Sequence, residues 1–116
     1  MSALIENLRR QCDGPRDGAL LRYSLGNALL NEGEAAAAVA EFERALTFDP
    51  TYSAAWKLLG KARLQSGAAG EAAAAWRQGV AAASARGDKQ AEKEMTVFLR
   101  RLGNSPAGGL ALNRKD

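Results

Sequence analysis

Apolar side chains recur at steps of three and four residues through most of the chain, the spacing that places them on one face of an α-helix. They are Leu21, Leu25, Ala28 and Leu29 within residues 19–31, Val39, Phe42, Ala45 and Leu46 after Glu34, Ala55, Trp56, Leu59 and Ala62 before Gly67, and Ala72, Ala75, Trp76 and Val80 after it. The pattern predicts two helical hairpins, the first over residues 19–50 and the second on the same plan.

Helix-breaking residues mark where these helices end. Gly33, Gly67 and Gly87 supply a backbone that tolerates the left-handed conformation common after a helix. Asp49-Pro50 ends the second helix, because proline lacks an amide hydrogen and restricts the residue before it.

Two amphipathic segments, residues 3–12 and 89–102, flank the hairpins. Their apolar positions are Leu4, Ile5, Leu8 and Cys12 in the first, and Ala91, Met95, Phe98, Leu99 and Leu102 in the second. Ser2 is placed to cap the first segment, and Asp17, in the turn "DGPRDG", to cap the helix that starts near residue 19. The chain is therefore predicted to be all-α with about six helices. Residues 103–116 have three glycines, a proline and no periodicity, which predicts a disordered tail.

The two hairpins match each other at an offset of 34 residues. Identical pairs are Leu25/Leu59, Gly26/Gly60, Ala28/Ala62, Leu30/Leu64, Gly33/Gly67 and Ala38/Ala72. An alanine-rich chain produces chance matches, but alanine abundance does not explain the Leu-Gly pairs. A period of 34 residues with two helices in each period is typical of the tetratricopeptide repeat.

The chain resembles the tetratricopeptide repeat family, and in particular its short stand-alone bacterial members. The matching positions are Leu25, Gly26, Ala38, Phe42, Ala45 and Pro50 in the first repeat, and Trp56, Leu59, Gly60, Ala72 and Trp76 in the second. The resemblance covers residues 19–86 and implies antiparallel helical hairpins stacked as a short α-α superhelix. In such hairpins Gly26 and Ala38 let the two helices approach. Ser84 replaces the closing proline of the second repeat, so that helix is predicted to extend to Arg86.

Two repeats alone bury little, because each hairpin needs a neighbour to cover its apolar face. We therefore predict a single helical domain over residues 1–102, made of an N-terminal packing helix and loop (1–18), a first repeat (19–52), a second repeat (53–86) and a capping helix (87–102). The capping helix is expected to turn Lys89, Glu92, Lys93 and Arg100 to solvent. Arg22 stands where the family prefers tryptophan, which predicts an exposed contact with the first helix.

In this family the first helix of each hairpin lines the concave face, so the resemblance implies a peptide-binding groove. Its residues are Leu20, Tyr23, Asn27, Leu30 and Asn31 from the first hairpin, and Ala54, Lys57, Lys61, Leu64 and Gln65 from the second. Lys57 and Lys61 are four residues apart and share a helix face, as do Asn27 and Asn31. Such donors favour acidic groups or a peptide carboxylate.

Relatives that clamp a chaperone's C-terminal carboxylate carry a lysine where this chain has Tyr23 and an asparagine where it has Lys61, so that clamp is incomplete.

Nothing in the sequence points to catalysis or to a cofactor. The chain has no histidine, and its single cysteine, Cys12, forms neither an internal disulfide nor a thiolate cluster. The stretch "GAAG" at residues 67–70 lacks the lysine and the strand of a phosphate-binding loop. The carboxylates Glu32, Glu34, Glu41 and Glu43 fall at surface positions of amphipathic helices. We predict that the protein is not an enzyme and that it uses no metal or cofactor.

No stretch approaches the roughly 20 apolar residues of a membrane helix, and no leader pattern is present, which predicts a cytoplasmic location.

Charge divides unevenly along the chain. Residues 1–52 carry 5 basic and 8 acidic side chains, and residues 53–116 carry 11 basic and 5 acidic ones. A basic half is compatible with nucleic acid or acidic peptides, but Trp56 and Trp76 occupy core positions and offer no stacking surface for bases. We predict a non-enzymatic adaptor that docks a peptide or a helix of a protein partner. The alternative is a structural protein that assembles with copies of itself.

Overall fold

The structure, a computed structural model, describes residues 2–103, which form six α-helices and the turns between them. They are α1 (Ala3–Gln11), α2 (Ala19–Asn31), α3 (Ala35–Phe48), α4 (Ser53–Gln65), α5 (Ala69–Arg86) and α6 (Lys89–Arg101). The all-α prediction is confirmed, and the helices predicted over residues 3–12 and 89–102 end one residue earlier. The tail predicted over residues 103–116 lies, from residue 104 onward, outside the described residues. None of the six helices is both long and apolar enough to cross a membrane.

The two repeat hairpins turn through equivalent glycines. Gly33 after α2 and Gly67 after α4 have φ angles of +83° and +84°, the left-handed region in which glycine carries no Cβ penalty. The residue after each glycine donates its amide hydrogen back into the helix, Glu34 to Leu29 O at 2.9 Å and Ala68 to Arg63 O at 2.8 Å. These bonds satisfy carbonyl groups that the end of a helix leaves unpaired.

The helices stack in chain order, each against the next. Across this stack, α2 also approaches α4 and α4 approaches α6, whereas among the described residues no Cα of α3 lies within 8 Å of a Cα of α5. The three helices that approach one another therefore form an inner layer, and α3 and α5 form an outer layer. This difference in spacing makes the surface of α2, α4 and α6 the concave side of the superhelix.

In both hairpins an aromatic ring of the second helix packs against a glycine of the first helix. A Cβ added to Gly26 would lie 2.7 Å from Phe42 Cε1, and one added to Gly60 would overlap the Trp76 indole. Both rings are almost completely buried. The terminal helices complete this core, since Ile5 of α1 is fully buried in the apolar cluster that contains Phe42, and Met95 of α6 in the cluster that contains Trp76.

Arg22 differs from the prediction, because its side chain is only 11% exposed. It donates from Nε and Nη2 to the two carboxylate oxygens of Asp17, each at 2.8 Å, and from Nη1 to Glu41 Oε1 at 3.0 Å. The carboxylates of Asp17 and Glu41 thus satisfy the charged end of a side chain that is almost completely buried. Asp17 is consequently not the predicted cap: α2 begins after Gly18, with no side-chain cap. By contrast, Ser2 caps α1 as predicted, accepting from Ile5 N at 3.1 Å.

Two polar contacts link the chain where α3 passes into α4 with the chain where α5 passes into α6. Arg86 Nη2 lies 2.7 Å from Asp49 Oδ2, and the Ser53 hydroxyl donates to Asp88 Oδ2 at 2.6 Å. Asp88 also caps α6, since its Oδ1 accepts from Ala91 N at 3.1 Å. The start of α4 is thereby linked to the start of α6.

Candidate peptide-binding groove

The predicted groove residues lie on α2 and α4, two of the three helices of the inner layer. Their exposure differs widely. Leu20 and Leu64 are 68% and 41% exposed, which is high for leucine. Asn31, Lys61 and Gln65 are exposed as well, whereas Tyr23, Asn27, Leu30, Ala54 and Lys57 are half-buried. Sequence reasoning placed these residues on inner-layer helices but left out the contribution of α6.

Aromatic side chains gather at the start of the groove. The rings of Tyr23 and Tyr52 are 5.1 Å apart between centroids, and Tyr23 also lies 6.0 Å from the ring of Phe42. Burial raises the pKa of Tyr52 above its ordinary value, so the phenol stays neutral. Tyr52 was absent from the predicted groove, although it directly precedes α4 and a tyrosine there is the kind of amphipathic side chain found at interfaces.

Lys57 is engaged within the protein. Its Nζ lies 2.8 Å from Glu94 Oε1, on α6, and Gln90 Nε2 donates to the other carboxylate oxygen at 3.2 Å. The hydrogen bonds from Lys57 and, secondarily, Gln90 lower the pKa of Glu94 below its ordinary value. The structure therefore separates the two lysines that the sequence grouped together, since the charge of Lys57 is already matched.

Lys61 occupies a different environment, one turn further along α4. Its Nζ lies 5.1 Å from the centroid of the Phe98 ring, within the range of a cation–π contact. The Phe98 ring in turn lies 5.0 Å from the Trp76 ring. Trp76 donates its indole N–H to the Lys57 carbonyl at 3.0 Å, which satisfies its only polar atom.

These side chains border a cavity of about 280 Å³ between the C-terminal ends of α4 and α6. Its lining consists of Lys61, Leu64, Trp76, Phe98, Arg101 and Leu102. Lys61 and Leu64 were predicted groove residues, whereas Trp76 of α5, Phe98 and Arg101 of α6, and Leu102 directly after α6 were not. The apolar pattern of α6 placed Phe98 and Leu102 toward the core, which was the only sequence signal for them.

A second, shallow depression of about 510 Å³ lies on α6 alone. It is lined by Lys89, Glu92, Lys93, Thr96, Val97 and Arg100. Lys89, Lys93 and Arg100 are exposed, as predicted for the outward side of the last helix, while Glu92 is half-buried. Four of its six lining residues are charged, against two of the six that line the cavity between α4 and α6.

Comparison with known proteins agrees with this architecture. The sequence pattern of the tetratricopeptide repeat matches residues 19–62. The TPR repeat-containing protein PA0015 of Pseudomonas aeruginosa is 52% identical over 99 residues, which make up 85% of this chain and 94% of that protein. The solution structure of protein BPP2914 from Bordetella parapertussis superposes with a TM-score of 0.76 at 45% identity, over 89% of this chain and 90% of that one.

Proposed function

The chain belongs to the tetratricopeptide repeat family, whose repeats are generally protein-interaction modules, and from that premise we propose that it is a non-enzymatic adaptor. In this proposal a peptide or a helix of a protein partner lies along the concave face of α2, α4 and α6. The partner gains apolar contacts with side chains that are otherwise left in water, which is the dominant favourable term in most protein association.

The observation that carries this proposal is the exposure of two leucines, Leu20 at 68% and Leu64 at 41%. Both leucines lie on inner-layer helices, with polar side chains such as Asn31 and Gln65 on the same helices. Exposed leucines close to amide and aromatic groups match the composition of protein interfaces, in which an apolar centre is ringed by polar residues. A partner segment that covers them removes apolar area from water without burying an unpaired charge.

Charge supports an acidic partner. Glu94 pairs with Lys57, and its two carboxylate oxygens already accept hydrogen bonds from Lys57 and Gln90. Lys61 and Arg101 add two positive charges at the cavity between α4 and α6. Attraction between opposite charges would speed association and weaken as the salt concentration rises.

The test removes the two concave leucines and compares them with a matched pair elsewhere. Leu20→Ser/Leu64→Ser and Leu4→Ser/Phe48→Ser, the latter on α1 and the outer-layer α3, replace side chains of similar exposure, 68% and 41% against 57% and 43%. Each protein, immobilised and shown by circular dichroism to be helical, is used to capture proteins from a bacterial lysate for quantitative mass spectrometry. We expect proteins held by the wild type to be depleted with the concave pair and retained with the control pair.

Two outcomes would contradict the proposal. Equal capture by the concave pair and the wild type would show that the partner binds elsewhere. Recovery of this chain alone would favour the self-assembly alternative, and sedimentation of the purified wild type would then give its oligomeric state.

A further inference from the structure

The cavity between the C-terminal ends of α4 and α6 has the features of a pocket for one side chain of a partner. We propose that it takes a large apolar side chain of a peptide segment in which an aspartate or glutamate flanks that side chain. This inference rests on the proposed adaptor function and specifies which partner segment the groove selects.

The size and lining of the cavity fit an apolar side chain. At about 280 Å³ it lies just below the range of small-molecule pockets, roughly 300–1,000 Å³, and suits a single side chain better than a cofactor. Leu64, Phe98 and Trp76 provide apolar surface, and Trp76 has already donated its N–H to Lys57 O. A leucine, methionine or phenylalanine placed there leaves no indole donor unsatisfied.

The edge of the same cavity is positively charged. Lys61 and Arg101 are its two charged lining residues, and neither forms an ion pair with a carboxylate of the described residues. The nearby carboxylate of Glu94 already accepts from Lys57 and Gln90. An acidic side chain next to the bound apolar one would thus meet two cations, neither of which is within ion-pair distance of a carboxylate of the described residues.

Selectivity follows from the shared location of the two features. A segment that inserts an apolar side chain must bring its neighbouring residues past Lys61 and Arg101, because these two cations line the same cavity. An acidic neighbour gains charge-assisted hydrogen bonds, whereas a basic neighbour is repelled. The cation–π contact also holds the Lys61 ammonium group against the Phe98 ring, so the positive charge lies directly beside the apolar lining of the cavity.

The experiment selects binders from a library of random dodecapeptides displayed on phage, using the wild-type chain as bait. We expect the enriched peptides to share a large apolar residue next to aspartate or glutamate. Synthetic versions of these peptides should bind Lys61→Glu/Arg101→Glu at least about tenfold more weakly than wild type, because two attractive contacts become repulsive. Lys93→Glu/Arg100→Glu, on the depression of α6, reverses the same number of charges and should retain binding.

The outcomes separate this inference from the adaptor proposal. Peptides without the apolar and acidic pair, or peptides that bind both charge variants equally, would overturn the pocket assignment. If such peptides nevertheless lost affinity for Leu20→Ser, the concave adaptor would stand without this pocket. Enrichment of no peptide by the folded wild type would count against both.

Discussion

The indole of Trp76 occupies the space that a Cβ on Gly60 would fill, so α5 lies against α4 only because residue 60 has no side chain. The ring of Phe42 has the same relationship with Gly26 in the first hairpin. Each repeat thus brings its helices together by placing an aromatic ring over a glycine. Close contact of this kind leaves little room for a larger residue.

Gly60→Ala is expected to lower the free energy of unfolding by about 1–2 kcal/mol, because the added methyl group displaces the buried Trp76 ring. Alanine's better helix propensity offsets part of that cost. Urea unfolding followed by circular dichroism measures the change.

Gly70→Ala serves as the control for that substitution. Gly70 lies in the first turn of α5, and a Cβ there would meet nothing within 4 Å. Only helix propensity acts at this position, so stability should rise by up to about 1 kcal/mol. Equal effects of the two substitutions would contradict the packing explanation.

Lys57→Glu is expected to destabilise the protein by about 1 kcal/mol, since it replaces a partly exposed ion pair with two adjacent carboxylates. Adding Glu94→Lys should restore most of the loss by reversing the pair. A double-mutant cycle from urea unfolding gives the coupling. Independent effects of the two substitutions would show that the 2.8 Å contact contributes nothing in solution.

Asp17→Asn should destabilise the protein near neutral pH and have a smaller effect in acid. The Arg22 guanidinium holds the pKa of Asp17 well below its ordinary value. A carboxyl group whose pKa is lower in the folded state stabilises that state above its unfolded pKa of about 3.9, and this stabilisation is lost as the pH falls through the folded pKa. The difference between the urea midpoints of the two proteins should therefore begin to shrink below about pH 4 and continue to shrink as the pH falls further. A constant difference at all pH values would argue against this linkage.

Met95→Ala is expected to cost about 2–5 kcal/mol, because Met95 is fully buried against Gly79 and its removal leaves a cavity. Amide hydrogen exchange should accelerate in α6 before it does in α2 or α3, since α6 contacts only α4 and α5 within the described residues. Val97→Ala, on an exposed side of the same helix, should change stability by no more than about 0.5 kcal/mol. Uniform acceleration along the chain would indicate that α6 does not unfold separately.

The hairpins were predictable because their determinants are local and repeated. Gly33 and Gly67 recur at the same offset as the Leu-Gly pairs, and each ends a helix through its own backbone conformation. Arg22 was misjudged because its burial depends on Asp17 and Glu41, and no periodic pattern shows that these carboxylates converge on it.

The groove was only partly predictable, for a similar reason. Lys57 and Lys61 look equivalent in the sequence, yet Glu94 pairs with one of them from 37 residues away. The repeat gives no guide to that contact, since residues 93 and 94 are Lys-Glu where the period would require Leu-Gly. Once the match ends, the rotation of α6 depends on how Met95 and Leu99 pack against α5, which is a tertiary property.

The contact between Ser53 and Asp88 has a mechanical consequence. It joins the first residue of α4 to the residue that caps the start of α6, whereas the cavity lies near the C-terminal ends of the two helices. Each helix has 13 residues and is therefore about 20 Å long. A small rotation of α6 about its linked start moves the C-terminal end of the helix further than any other part of it. The hydrogen bond thus sets the spacing of α4 and α6 at one end, whereas at the cavity the two helices meet through the Lys61 ammonium group and the Phe98 ring.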